Sequence, residues 1–187
     1  MGKQESGNKL NGKNIINISI YAAIYFVIVM ALAMTGLIPI FLILLSSMIG
    51  IVGGIPFMLF LTKVKKPGMI LIMNLIMDIL MFITGMTWMP IPFSIVTGII
   101  AELVYRNGGY KSMRSAVLTA GVFSLWACGN YLPLFLQRAQ YFADRSSYGK
   151  EYIDAVVTLT PSWMFFVLLI ATFASDGFRF IFICKKM

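Results

Sequence analysis

Six runs of mainly apolar residues make up most of the chain, and the polar residues are gathered into the short segments between them. A transmembrane helix needs about 20 mainly apolar residues, with about 17–25 observed in practice. The sequence therefore predicts an all-α, polytopic integral membrane protein with six transmembrane helices. The runs that reach or approach the required length are Ile15–Met34, Ile38–Leu61, Met69–Thr84, Pro90–Tyr105, Ala116–Leu136 and Pro161–Ile183.

The composition agrees with a membrane location. Of the 187 residues, 59% are hydrophobic and 12% are charged, whereas about 25% are charged in an ordinary soluble domain. A soluble fold of this length would lack the polar surface needed to cover its core. We expect residues 1–14 to form a cytoplasmic tail and residues 15–187 to form a single six-helix membrane domain with an outer loop at 137–160.

The first two spans carry features that could change their interpretation. Basic residues precede an apolar run ending in Ala31-Leu32-Ala33, which imitates a cleaved signal peptide. Because that run is long for a signal peptide, we expect an uncleaved first span. The second span is expected to be kinked or broken, because glycine and proline interrupt it at Gly50, Gly53, Gly54 and Pro56.

The distribution of basic residues predicts the orientation in the membrane. Lys and Arg are retained on the cytoplasmic side of membrane proteins. With both termini inside, all but three of the fifteen basic residues fall on that side. The exceptions, Arg138, Arg145 and Lys150, share the outer loop with three carboxylates. The charge pattern predicts an N-in/C-in protein of the cell membrane, and the net charge of +8 does not imply a nucleic-acid partner.

No catalytic or metal-binding pattern is present in the sequence. The chain has no histidine, the commonest general base and a common transition-metal ligand. It has no phosphate-binding Walker loop, no nucleophile elbow and no zinc-binding helix motif. Cys128 and Cys184 lie in or at the end of apolar runs, without metal-ligand spacing. We expect neither an enzyme nor a resident cofactor or metal, so uphill transport would need energy from another chain.

Ionisable residues within spans are costly and are functional candidates. Asp78 lies near the middle of the third span, with Asn74 four residues earlier on the same helical face. Two interpretations stay open for this pair, a structural polar clasp between helices and contact with a substrate. Local ion pairs are expected for two further carboxylates, Glu102 with Arg106 and Asp176 with Arg179.

The predicted outer side combines aromatic side chains with a few polar groups, as small-molecule sites do. The same aromatic residues could instead form the belt that anchors a membrane protein at its interfaces. The candidate substrate-binding residues on this side are Trp88, Asn130, Tyr131, Arg138, Tyr141 and Trp163.

Two other surfaces can be assigned from the sequence. The stretch YRNGGYKSMR at 105–114 has neither the preceding strand nor the Gly-Lys-Ser/Thr of a phosphate-binding loop. We expect it to form a cytoplasmic hairpin. On the first span, Ser19, Ala23 and Ala31 recur at steps of four or eight. Small residues on one face let another helix approach closely, so this face is a candidate partner-binding surface.

Landmarks along nearly the whole chain resemble one known family. They are AIYFVI in the first span, GGIPFMLFLTKVKKPG after the second, LMFITGMTW, RNGGYKSMR, FSLWACGNYLPL and YIDAVVTLTPSWMF. Together they resemble the MptD (Trep_Strep) family of substrate-binding (S) components of energy-coupling factor (ECF) transporters.

The resemblance implies a bacterial plasma-membrane protein that captures a micronutrient in an outward-opening pocket. Its implied partners are a transmembrane coupling protein and two cytoplasmic ATPase subunits. In the wider group the coupling protein packs on an Ala-x-x-x-Ala face of the first helix, and the nearest match here is Ser19-x-x-x-Ala23. A vitamin is the expected substrate class, with haem or a metal chelate as the alternative. A membrane enzyme acting on lipid-linked substrates and a scaffold without a ligand are the competing functions.

Overall fold

The computed structural model describes residues 10–64, 66–110, 112–143 and 149–184, with side chains described up to residue 175. Within these ranges every regular secondary-structure element is a helix, so the predicted all-α class is confirmed. A 3₁₀ turn at Met34–Leu37 joins the first two helices. The helices are α1 (Gly12–Ala33), α2 (Pro39–Leu61), α3 (Met69–Ile83), α4 (Pro90–Asn107), α5 (Met113–Ser124), α6 (Trp126–Gly129), α7 (Leu132–Leu136), α8 (Arg138–Ala143), α9 (Lys150–Leu159) and α10 (Met164–Cys184).

Helix length and hydropathy identify the strongest membrane spans. Among the described residues, Gly12–Leu37 and Pro39–Leu61 are each long and apolar enough to cross a membrane. A third span results if α9 and α10, which are bent by 78° relative to each other, are counted together. Helix α3 is apolar but has only 15 residues. The six-span count and the N-in/C-in orientation therefore stay predictions.

The second span is not broken, whereas a kink at Pro56 stays a prediction, and the expectation of one continuous fifth span is wrong. Helix α2 runs from Pro39 to Leu61 without a break, with Pro56 inside it. The fifth predicted span is instead divided into α5, α6 and α7, and a proline stands in the first turn of α7. Proline has no backbone N–H to continue the preceding helix, which explains the break between α6 and α7. The segment 137–160, predicted as an outer loop, contains the helices α8 and α9.

One end of the bundle, where α2 and α4 finish and α3 and α5 begin, is here called the basic end. At this end, side chains hydrogen-bond to backbone groups of neighbouring helix ends. The Tyr105 hydroxyl donates to the Leu61 carbonyl at 2.9 Å, at the end of α2. The Ile70 amide, in the first turn of α3, donates to the Glu102 carboxylate at 3.1 Å. These bonds supply partners that helix ends otherwise lack.

The Glu102 carboxylate is thus a cap for α3. It also accepts a hydrogen bond from the Tyr110 hydroxyl at 3.3 Å. Among the residues whose side chains are described, no ion pair joins Glu102 to Arg106, so that predicted pair is wrong. The side chains of Asp176 and Arg179 lie outside the described residues.

The stretch 105–114 turns the chain from α4 into α5, as predicted. Gly109 and Tyr110 both have left-handed backbone conformations, with φ of 63° and 58°. The Tyr110 ring packs edge-on against Tyr105, with 5.3 Å between ring centroids. Burial and then the Glu102 carboxylate raise the pKa of Tyr110. At Gly108 an added Cβ would overlap the Ser115 side chain, so no larger residue fits unless the turn shifts.

An aromatic cluster forms the core where α1, α2, α5 and α6 meet. The Tyr25 ring lies edge-on to Phe123, at 5.6 Å between centroids. The Tyr25 hydroxyl accepts a hydrogen bond from the Trp126 indole N–H at 3.4 Å. A Cβ added to Gly53 would lie 2.9 Å from the Tyr25 ring. Glycine at this position is therefore what lets α2 approach the buried tyrosine.

A polar clasp joins α3 to α4. The Ser94 hydroxyl donates to the Asp78 carboxylate, and the Asn74 amide donates to the Ser94 carbonyl at 3.1 Å. All three side chains are buried. The second Asp78 oxygen and the Asn74 oxygen have no hydrogen-bond partner among the described residues. Gly98 makes room for the clasp, because a Cβ there would lie 2.9 Å from the Asn74 amide nitrogen.

We predict that Gly53→Ala destabilises the fold, because the new methyl group would overlap the Tyr25 ring, which is 1% exposed and held by its neighbours. Overpacking of this kind costs about 1–3 kcal/mol. Thermal unfolding in detergent, followed by tryptophan fluorescence, measures the change. Gly12→Ala is the matched control, since a Cβ at Gly12 meets nothing within 4 Å. Equal melting temperatures for the two variants would contradict the prediction.

We also predict that Ser94→Ala lowers the melting temperature, because the Asp78 carboxylate loses the hydroxyl that donates to it. Leaving a buried acceptor without its donor costs about 1–3 kcal/mol. The control is Ser19→Ala, the same chemical change at an exposed position of α1. A melting temperature of Ser94→Ala equal to that of the control would show that the hydrogen bond from Ser94 to Asp78 contributes nothing to stability.

Candidate functional site

A cavity of about 180 Å³ lies at the end of the bundle opposite the basic end, between the 3₁₀ turn, the start of α2, and helices α8 and α9. This end is here called the cavity end. The cavity is open on one side and its wall is mainly apolar and aromatic. Its lining residues are Ala33, Gly36, Leu37, Leu42, Leu45, Met86, Tyr141, Phe142 and Tyr152.

A second space of about 70 Å³, here called the branch, adjoins this cavity on the side of the core. The two spaces adjoin, because Ala33, Leu42, Leu45, Met86 and Tyr141 line both. The branch ends against the aromatic cluster of the core. Its further lining residues are Val29, Ile49, Met81, Trp126, Ala127, Asn130 and Tyr131.

Two tyrosine hydroxyls hold the walls of the cavity together. Tyr131 donates to the Leu42 carbonyl at 2.7 Å, which ties the start of α7 to α2. Tyr152 donates to the Gly36 carbonyl at 2.6 Å, which ties α9 to the 3₁₀ turn. The walls thus consist of segments far apart in the sequence, joined by side chain to backbone bonds.

Asn130 is a polar group in the branch without a partner. It follows α6 at the interruption between α6 and α7, where the chain changes direction before Pro133. Its side-chain oxygen is buried, and within the described part of the chain it accepts no hydrogen bond. A buried carbonyl oxygen without a donor is unfavourable by about 1–3 kcal/mol. A molecule that brought a donor into the branch would relieve that cost.

Within the part of the chain that the structure describes, no charged side chain lines either space. The closest basic candidate, Arg138, donates to the Leu134 carbonyl at 3.3 Å and also to the Thr160 carbonyl. It therefore braces the cavity end by joining α7 to the end of α9. Among the described residues, no three His, Cys, Asp or Glu side chains are grouped so that they could hold a metal ion.

The structure brings together some of the predicted substrate-binding residues and separates others. Asn130, Tyr131 and Tyr141 line the connected cavity. Trp88 and Trp163 are outside it and are 63% and 62% exposed, the position expected of an interfacial belt. Asn74 and Asp78 lie in the α3–α4 clasp, away from the cavity lining.

Sequence reasoning missed part of the lining, most clearly Trp126 and Ala33. In the sequence both look like ordinary apolar residues of a span. Only their position beside Asn130 or Tyr141 in the structure identifies them as lining residues. The motif FSLWACGNYLPL, which contains Trp126, Asn130 and Tyr131, was the one available signal.

The predicted partner surface is exposed on α1. Ser19, Ala23 and Ala31 all face outward. The opposite face of the helix carries the buried Ile18, Ala22, Tyr25 and Val29. The small residues are therefore not used in packing the bundle.

Comparison with known proteins places the chain in a family. The model of the family described as "Hypothetical bacterial integral membrane protein (Trep_Strep)" matches residues 12–177. No curated protein and no solved structure matches the chain. The match extends over α1 to α9 and into α10, and it agrees with helices long and apolar enough to span a membrane. The chain belongs to the Trep_Strep family of bacterial integral membrane proteins.

Proposed function

We propose that this protein is the substrate-binding subunit of an ECF-type micronutrient importer. In this role it captures a small molecule at the outer face of the membrane and delivers it with a separate coupling protein and two ATPase subunits. The observation that carries the proposal is the connected cavity at the cavity end. Small-molecule sites are concave and mostly apolar, with a few convergent polar groups, and the cavity has this character.

The charge distribution supports an outward-facing cavity. The basic end carries Lys63 and Lys66 between α2 and α3, Arg106 in the last turn of α4 and Arg114 in the first turn of α5. Basic residues accumulate on the cytoplasmic side, so in the proposed N-in/C-in orientation the cavity at the opposite end opens outward. A ligand could then enter from outside without crossing the bilayer first.

The surface of α1 supports docking of a coupling protein. Small side chains at Ser19, Ala23 and Ala31 allow another helix to approach closely, and the bundle itself leaves this face exposed. Since the sequence has no ATPase motif, the energy for transport would come through this partner.

An enzymatic role has less support. A membrane enzyme would need a carboxylate near one interface, and the candidates in the sequence are Glu102 and Asp176. Of these two, only the Glu102 side chain is described, and its oxygens accept hydrogen bonds from the Ile70 amide and the Tyr110 hydroxyl. A carboxylate used as a helix cap is poorly placed for acid–base chemistry. We therefore propose a non-enzymatic function.

We predict that Ala33→Phe and Ala31→Phe have different effects, the first on ligand binding in the cavity and the second on partner binding at α1. Ala33 lines both parts of the cavity, whereas Ala31 is exposed on the partner face. A phenylalanine at Ala33 would fill the cavity and abolish ligand retention. The same change at Ala31 would leave retention intact and weaken co-purification with the coupling protein.

Native mass spectrometry of protein gently extracted from its own membranes, with absorbance recorded into the visible, measures retention and ligand type. A stoichiometric small mass lost only in Ala33→Phe is the expected result. A wild-type protein without any bound small molecule, and without a melting shift on addition of vitamins, haemin or metal chelates, would favour the scaffold function. Equal retention in both variants would place the ligand elsewhere.

A further inference from the structure

The size, charge and polar groups of the cavity together restrict what it can hold. We infer that the ligand is an uncharged molecule with one planar ring and an amide-like N–H donor that pairs with Asn130. This inference rests on the proposed function and specifies its substrate class.

Size is the first restriction. An apolar cavity of about 150 Å³ accommodates benzene. The cavity between the 3₁₀ turn, α8 and α9, here called the outer space, has about 180 Å³, and the branch has about 70 Å³. A single ring fits the outer space, and a short substituent fits the branch. A macrocycle such as haem is several times larger than benzene and exceeds both spaces together.

Charge is the second restriction. Among the described residues, none that lines the outer space or the branch is charged. Taking an ionised group out of water without a partner is strongly unfavourable. Arg138, which could have paired with an anion, already donates to two backbone carbonyls. A carboxylate or phosphate ligand would therefore bind poorly, and an uncharged one is favoured.

Hydrogen-bonding capacity is the third restriction. The buried Asn130 oxygen accepts no bond within the described residues, so it needs a donor. The same side chain carries amide N–H groups, which can donate. A side-chain amide pairs well with an edge that offers a donor beside an acceptor, as Asn does with adenine. Carboxamides and lactam-like ring edges have this arrangement.

Ring stacking is compatible with the same geometry. Tyr141 lines both spaces, while Trp126 lines only the branch and is fully buried. Aromatic side chains pack favourably against planar rings. A ring in the outer space would contact Tyr141 while its substituent reached Asn130.

Three probes of nearly equal size test the inference on protein reconstituted in nanodiscs, with empty nanodiscs as the background. Benzamide is uncharged and has N–H donors, methyl benzoate is uncharged without a donor, and benzoate is charged. We expect saturable binding of benzamide, about tenfold weaker binding of methyl benzoate because one hydrogen bond is lost, and no saturable binding of benzoate.

Asn130→Leu tests the assigned residue. It should lower the affinity for benzamide more than the affinity for methyl benzoate, so that the preference for benzamide is lost. Gln137→Leu makes a similar change at an exposed position of the cavity end and should alter neither affinity. If Asn130→Leu does not fold, the affinities of the wild-type protein for the three probes still test the ligand class.

The outcomes separate this inference from the proposed function. Benzoate binding as tightly as benzamide, or an unchanged preference in Asn130→Leu, would overturn the ligand class. Absence of binding by all three probes would also overturn it, while a small molecule retained from native membranes would leave the importer subunit standing. Absence of both would remove the two proposals together.

Discussion

The contact of Tyr25 with Gly53 and Trp126 determines how the helices around the cavity are arranged. Because Gly53 has no side chain, α2 approaches the Tyr25 ring of α1 closely. The Tyr25 hydroxyl then accepts the Trp126 indole N–H and so positions α6. Trp126 is fully buried and also lines the inner branch. The packing that stabilises the core therefore also shapes the end of the candidate ligand site.

Polar bonds at the two ends of the bundle complement this core. In a bilayer, backbone groups must find partners within the protein. At the basic end, Glu102 and Tyr105 supply partners to the ends of α3 and α2. At the cavity end, Tyr131 and Tyr152 donate to carbonyls of α2 and the 3₁₀ turn. Asn130 differs from these residues, because no bond satisfies its buried oxygen in the described structure.

Two of the predicted spans correspond closely to single helices, because each is one apolar run whose backbone hydrogen bonding is not interrupted. Met69–Thr84 corresponds to α3 and Ile38–Leu61 to α2, each within a residue at either end. The fifth predicted span, which contains Asn130 and Pro133, does not correspond to one helix, because the structure divides it into α5, α6 and α7. The apolar composition of that run shows where lipid or core lies, but it does not show where backbone hydrogen bonding stops. The break in turn creates the position from which Asn130 enters the cavity.

The sequence by itself determined the helical class, the membrane location and the predicted orientation, because hydropathy and charge act on each segment separately. It also indicated Asn130, Tyr131 and Tyr141 as site residues through their polar or aromatic chemistry. Only the tertiary structure decided that these three share a cavity with Ala33 and Trp126, and that Asn74 and Asp78 belong to a separate clasp. Such groupings depend on close approach between distant segments, as at Gly53 and Gly98, and segment composition carries no information about which helices meet.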